Sequence, residues 1–423
     1  MKKIVTILSV FAVILGGCKQ TKRKQTANNI ICENSTVLQP DISRVIEEIK
    51  PFANYIEQCN TSPVNYIMGL FEKYDVVVLG ERSHRDMTQY DLIQQIISDP
   101  RFIAKVGNVF TEVGVYNMAD ELNAVLKGTY SNDAAFDTEL VKVIFNMDFM
   151  PLWEKTNYTK LMKDAYLVNK NLPAKEKISV TPTEMPFSWE QAKNMTAEEF
   201  KATVREMWKH KDLIMGNNAI NELYKIFNGT DYRKKALIIY NTPHSCRYFA
   251  NQELAQSPYF AYQIIADRFP KRVVNVALNW AVVSNNDNNI LLSNGGKIDA
   301  AFAACGNKSI GFDLANSPFG NCVFDYATPR STNEVKMKDV YHGFIFHKPI
   351  YEWIYSIGVP NLDKIDCKDE LARRTKIFSD RKNVDKNDEF MYYSKIRTSS
   401  EIDKKHFYEL IERFFKAELE NEK

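Results

Sequence analysis

The stretch VVVLGERSHRD, residues 76–86, brings a carboxylate and an imidazole, Glu81 and His84, directly behind an apolar run. An imidazole titrates near neutral pH and can take a proton from water. A carboxylate beside it can orient the ring and stabilise the imidazolium. Glu81 and His84 are three residues apart where a helix is expected to begin, so both can face one cleft. Other polar residues also follow apolar runs: Glu112 in VFTEVG, Glu184 in ISVTPTEMP, Asn241 and His244 in ALIIYNTPHSCRY, and Asp313 in IGFDLANSPFG. Taken singly, a carboxylate in such a place is a helix cap or a turn former, and His342 and His347 read as structural. Taken together, the set suits water attack on an ester, amide or similar carbonyl. His84 is then the general base, Glu81 and Glu112 position it, and His244 with Asn241 holds the developing oxyanion or the leaving group. Arg82, Glu184 and Asp313 join Asn241 as candidate binding residues. No Gly-x-Ser-x-Gly elbow is present, so no Ser nucleophile is indicated. The same residue types also suit a divalent Zn, Mn or Fe ion, with Glu81, His84 and His244 as ligands.

The elements that must position these residues are legible as short apolar or β-branched runs. Six read as buried strands: 76–79, 109–111, 178–181, 236–240, 273–277 and 344–346. Met87, Tyr90, Ile93 and Ile97 recur at helical spacing just after the opening motif. Residues 195–227 and 403–419 also read as helical, the second with a stripe of Phe407, Leu410, Ile411, Phe414 and Phe415. Strands alternating with helices predict an α/β fold, a mostly parallel central sheet flanked by helices. In such sheets ligands bind beyond the carboxyl ends of the strands. Gly80 is expected to let the chain turn there. The expected organisation is an α/β domain over 41–360, a helix-rich insertion within it over 116–235, and a C-terminal helical extension over 361–423.

Composition bounds the function. The 423 residues are 45% hydrophobic and 26% charged, with a formal net charge of +2. This is ordinary globular composition and excludes a strongly basic nucleic-acid binder. Lys2 and Lys3 precede an apolar run over 4–14, too short for the about 20 residues of a membrane span, and then Leu15-Gly16-Gly17-Cys18. This reads as a secretory signal over 1–17. Its ending resembles a bacterial lipobox, which implies cleavage before Cys18 and lipidation of that residue. Residues 18–40, with Lys19, Lys22, Arg23 and Lys24, read as a tether whose charges favour an anionic membrane surface. The expected location is the bacterial cell envelope, lipid-anchored and facing the periplasm. Six further Cys remain, at 32, 59, 246, 305, 322 and 367. An oxidising compartment allows disulfides, and Cys305 with Cys322 is one candidate pair.

Several segments, in order, resemble the erythromycin esterase-like family, whose broader superfamily includes haem-uptake lipoproteins and Tiki-type proteases. GERSH resembles that family's Gly-Glu-x-x-His, and VFTEVG its second strand ending in Glu. LNAVLKG, PLWEKTNYTKLM, TPTEMP, KDLIMGNNAI, NTPHSCR, FDLANSP and YHGFIF follow in the family's order over 70–350. The resemblance implies a hydrolase acting on a small-molecule or peptide substrate. The Tiki-type relatives imply metal dependence. The haem-uptake relatives imply the alternative of a non-catalytic lipoprotein that binds haem or another small ligand, with Tyr240 or His244 on the iron. A scaffold that has lost activity is a third alternative. Tyr240 stands where the family has the first His of His-Asn-x-His, His244 sits one place late, and Ile93 stands where the esterases carry a helix Arg. These departures predict poor hydrolysis of erythromycin itself.

The lipobox reading is tested by Cys18→Ser. The variant should be lost from the membrane fraction or accumulate with its signal uncut. A Ser variant that is processed normally and stays with membranes would remove the lipid anchor from this account.

Overall fold

The computed structural model describes residues 41–247, 260–283, 290–326 and 335–416. Cys18, Cys32, the expected signal and the tether lie outside them. The strands are β1 (Val76–Glu81), β2 (Asn108–Val115), β3 (Ser179–Glu184), β4 (Ala236–Asn241), β5 (Val273–Leu278), β6 (Ala281–Val283), β7 (Ile290–Leu292), β8 (Ile310–Asp313), β9 (Gly343–Phe346), β10 (Tyr355–Ile357) and β11 (Arg397–Ser399). Seven of them form one sheet in the order β3-β2-β4-β1-β5-β9-β8. All neighbours in it are parallel except β8, which runs antiparallel to β9 at the edge. This is the expected α/β architecture, and all six expected strands are present.

β1 lies in the middle, paired with β4 and β5, and every one of its residues is buried. A strand covered on both faces needs no polar alternation, which is why VVVL is a continuous run. Val77 and Leu79 pack on one face with the helices Pro63–Phe71 and Thr88–Ser98. Val76 and Val78 pack on the other with Met215 and Leu223 of the helix Lys211–Asn228 and with Ile265 of Ala261–Arg268. Gly80 does not turn the chain. It is a strand residue, and a Cβ there would meet Ser245 Oγ at 2.9 Å and Val276 O at 3.3 Å. Its smallness admits the short helix Thr242–Ser245, which carries His244, against β1.

Three departures from the expected elements bear on function. The single helix expected over 195–227 is two, Ala197–Lys209 and Lys211–Asn228, with His210 between them at φ −116° and ψ 14°. Thr196 and Glu199 cap the first reciprocally. The break leaves Lys211 and Asp212 on the first turn of the second helix. Residues 116–235 hold helices and also β3, an edge strand of the main sheet. The strand β8 was not among the six read from apolar runs, and only the resemblance of FDLANSP to a closing strand of the family pointed to it. It is four residues long and contains Gly311, where a Cβ would meet the Tyr66 ring at 2.7 Å, and Gly weakens a strand pattern.

After β9 the chain makes β10, two helices (Lys368–Ser379 and Lys386–Ser394) and β11, which pairs back antiparallel on β10. The helix expected over 403–419 is Lys404–Ile411, capped by Asp403, and closes in a tight turn over Glu412–Phe414. Cys59, Cys246, Cys305, Cys322 and Cys367 are free thiols, so the candidate Cys305–Cys322 bridge is absent. Cys305 sits just past the helix Lys297–Ala304 with its sulfur directed at Ala53 O, while Cys322 follows the turn Pro318–Asn321. Among the described residues no helix is long and apolar enough to cross a membrane.

The aromatic packing beside β9 gives a stability test. Phe302 is fully buried and stacks on Phe346 with ring centroids 3.9 Å apart. Phe302→Ala should cost about 3–5 kcal/mol in equilibrium urea unfolding. A loss below about 1 kcal/mol would show that this part of the core re-packs freely.

Candidate functional site

The carboxyl ends of β1, β2, β3 and β4 deliver Glu81, Glu112, Glu184 and Asn241 to one edge of the sheet. Glu112 arrives through a bulge. The β2–β3 register shifts between Thr111 and Val115, and such shifts re-aim side chains. Gly114 has φ +101° there, and a Cβ on it would meet Tyr158 OH at 2.7 Å and Met147 Cε at 2.8 Å. The backbone N–H of Asn241 donates to Glu112 Oε2 at 2.8 Å.

Two imidazoles converge on the other oxygen of Glu112. His84 Nε2 lies 3.6 Å and His244 Nε2 3.3 Å from Glu112 Oε1. Each ring turns its Nδ1 to a carboxylate of its own. His84 Nδ1 is 2.9 Å from Glu81 Oε2, and His244 Nδ1 is 2.8 Å from Asp212 Oδ1. A carboxylate on Nδ1 sets the tautomer and leaves Nε2 as the working nitrogen. Lys211 Nζ lies 2.9 Å from the same Glu112 Oε1 and 3.1 Å from Glu184 Oε1. Glu81 Oε1 accepts from Tyr90 OH at 3.0 Å, Asn157 Nδ2 at 3.2 Å and Gln89 Nε2 at 3.3 Å. The edge of the His84 ring packs on Trp153, with centroids 5.3 Å apart.

The charges are set by these contacts. Burial works against a charge on His84, but Glu81 and then Glu112 outweigh it and push the imidazole up to about 10. Burial likewise opposes a charge on His244, and Asp212 and Glu112 raise it, while the Lys211 ammonium works against it. Against burial, His244, Lys211 and His84 together hold Glu112 well below the usual carboxylate range. Asp148, 2% exposed, is the opposite case. Burial, with Glu184 second, pushes its carboxyl well above that range.

The structure thus brings together Glu81, His84, Glu112, Glu184, Asn241 and His244. One N–H of the Asn241 side-chain amide already donates to Arg82 O. Two candidates point elsewhere. The Arg82 guanidinium pairs with Asp86 at 2.8 Å, bonds Asn279 Oδ1 and His347 O, and stacks 4.0 Å over Trp353. It locks the chain after β9 onto the opening motif. Asp313 lies at the opposite edge of the sheet. Because β8 is antiparallel, its last residue pairs with Gly343, the first of β9, and Asp313 bonds Tyr66 OH at 2.7 Å with His342 Nε2 3.3 Å away. Lys211, Asp212, Asp148, Gln89, Tyr90, Asn157 and Trp153 were not among the expected site residues. Lys211 and Asp212 open KDLIMGNNAI, and Trp153 and Asn157 lie in PLWEKTNYTKLM. Both segments carry the family resemblance, but read by periodicity alone they are helix.

The expected metal set of Glu81, His84 and His244, and Tyr240 as a haem ligand, do not fit these contacts. Glu81 is filled by its donors and His84, away from any point shared with His244, and Lys211 occupies the oxygen of Glu112 that a metal would take. Among the described residues no group of three or more His, Cys, Asp or Glu is arranged to hold a metal ion. Tyr240 is fully buried, with its hydroxyl on Thr183 Oγ1 at 3.0 Å and Met215 O at 3.4 Å, so it cannot reach a haem iron.

No family model matches the chain, and neither does any curated protein. Among solved structures it is similar to a succinoglycan biosynthesis protein (10% identity, 71% of this chain and 96% of that one, TM-score 0.48). It is also similar to an erythromycin esterase variant in its open conformation (10% identity, 72% and 96%, TM-score 0.40). A third is the haem-binding ChaN of Campylobacter jejuni (13% identity, 53% and 89%, TM-score 0.27). The last two are of the kinds to which the sequence resemblance points. At these identities and scores the likenesses say nothing of what this chain binds or does.

The cluster makes stability depend on pH in two directions. The folded state holds the His84 proton more tightly than the unfolded chain, so that contribution is full below pH 6.5 and is lost as the pH rises through about 10. Glu112 is held below its ordinary 4.5, so its contribution is full above that pH and is lost as the pH falls below it. Thermal midpoints should therefore fall between pH 6.5 and 10, and the fall should be shallower in His84→Gln. Parallel alkaline arms for the two proteins would contradict the assignment.

Proposed function

We propose that the chain is a hydrolase that directs a water molecule at an ester or amide carbonyl between His84 and His244. The observation that carries this reading is the convergence of two carboxylate-oriented imidazoles on one buried oxygen. Two working nitrogens facing one point can divide acid and base work. The charges favour a different division from the one expected from the sequence. His84, gripped by Glu81 and Glu112, keeps its proton across neutral pH. His244, whose rise the Lys211 ammonium opposes, is taken as the ring that works without its proton.

In this reading neutral His244 takes a proton from the attacking water as the new C–O bond forms. The His84 N–H donates to the oxygen of the carbonyl as it becomes an oxyanion. His244 then returns the proton to the leaving alkoxide or amine as the scissile bond breaks. Both Nε2 contacts to Glu112 are longer than the about 2.7–3.2 Å of a good N–H···O bond, so a substrate oxygen can draw the His84 proton away. Asp212 orients His244 and also accepts from the Ala261 N–H at 2.8 Å, which ties the base to the start of the helix Ala261–Arg268. We further propose, on Leu15-Gly16-Gly17-Cys18, that the enzyme works in the bacterial envelope on a lipid anchor.

A panel of p-nitrophenyl esters assayed against pH tests the division of roles. The rate should rise as His244 loses its proton and fall again near pH 10 as His84 does. His244→Ala should remove the rising limb and cost about 10²- to 10⁴-fold. A wild-type rate that climbs unbroken well beyond pH 10, or one that His244→Ala leaves unchanged, would reverse this reading.

A further inference from the structure

Lys211 opens its helix directly after the break at His210 and is nearly buried, with Nζ over the Trp208 ring at 4.7 Å. Its ammonium bridges Glu112 Oε1 and Glu184 Oε1 at 2.9 and 3.1 Å. Around the same Glu112 oxygen stand the Nε2 atoms of His84 and His244, at 3.6 and 3.3 Å. Both rings hold a carboxylate on Nδ1 and direct Nε2 inward. That is how metal-ligating imidazoles are supported, with an outer carboxylate fixing tautomer and orientation. Donors at about 2.0–2.1 Å from a tetrahedral zinc lie about 3.3 Å from one another, and the two Nε2 separations from Glu112 are of that size. The cation found among these donors is an ammonium carried by the chain.

We infer that Lys211 is the resident cation of this site, standing where a divalent ion would stand, and that it keeps the site closed to metals. The inference rests on taking the Glu112 cluster as the functional site. The ammonium binds the lone pair that a metal would need, neutralises the Glu112–Glu184 pair and repels a second cation. It also stays charged. Burial opposes its charge, but Glu112 and Glu184 hold it above the usual lysine range. Its counterpart is that, with Lys211 gone, His84, Glu112 and His244 are free to close on a zinc ion, a grouping that the native arrangement does not make.

Zinc alone is the probe, read by calorimetry and by metal content after dialysis, on the full chain and without any substrate. Wild type and Lys211→Arg should take up no zinc that depends on His244. Lys211→Met should bind one zinc per chain. So should Lys211→Met combined with Glu184→Gln, which removes one charge of each sign and so spares the fold an unbalanced carboxylate. Adding His244→Ala to either should weaken that binding by more than about 100-fold, since an outer partner alone is worth about 10- to 100-fold. A Lys211→Met protein that folds only with zinc present would also uphold the inference. Tight, His244-dependent zinc binding by the wild type would overturn it, and that arm needs no variant. So would a folded, charge-balanced double variant that binds no more zinc than wild type. Failure of the ester assays leaves these outcomes unchanged, because zinc uptake is read without turnover.

Discussion

The site depends on one buried carboxylate, Glu112, shared by two imidazoles and an ammonium. A carboxylate taken out of water is costly unless it is paired and its lone pairs are filled. Here one oxygen takes the Asn241 backbone N–H, and the other faces three nitrogen cations or would-be cations. The architecture around it follows from that requirement. The bulge in β2 aims Glu112, the break at His210 starts a helix with Lys211 beside it, and Gly80 lets the His244 helix close on β1. Each of these is a local irregularity. Together they place three positively disposed groups around one oxygen.

The two histidine dyads look alike and are electrically different. Glu81 is embedded in its own donors, Gln89, Tyr90 and Asn157, contributed by two helices on one face of the sheet. That shell keeps Glu81 and its His84 fixed. Asp212 instead sits beside Lys211 and reaches the helix Ala261–Arg268 through the Ala261 N–H. His244 therefore feels a neighbouring cation, which opposes the rise that Asp212 and Glu112 give it. In the proposed hydrolase that difference in surroundings, with the same residue types, is what would separate acid from base.

The two edges of the sheet have different occupants because strand direction decides which end a residue reaches. Glu81, Glu184 and Asn241 end parallel strands, Glu112 leaves one at its bulge, and the four meet at one edge. Asp313 also ends a strand and also follows an apolar run, but β8 is reversed and the residue arrives at the other edge, with Tyr66 and His342. Arg82 shows a second limit. It lies between two site residues in sequence, yet at the strand end its side chain swings toward Asp86 and Trp353 and serves as a brace.

The sequence by itself determined what short range physics controls. Continuous β-branched and apolar runs marked six strands, because a strand buried on both faces tolerates little else. The polar residues directly behind VVVLG, VFT and ALIIY then had to stand at strand ends, so Glu81, His84, Glu112 and His244 were legible as one group. The tertiary structure decided what those residues do to each other. Lys211 and Glu112 are 99 positions apart, and Asn241 and Glu112 are 129 apart. No local pattern distinguishes a Lys on the first turn of a solvated helix from one buried between two carboxylates. The direction of β8, the absence of the Cys305–Cys322 bridge and the different charges that face His84 and His244 have the same origin. Strand pairing, thiol separation and electrostatic shifts are properties of distances across the fold, and periodicity along the chain carries no information about them.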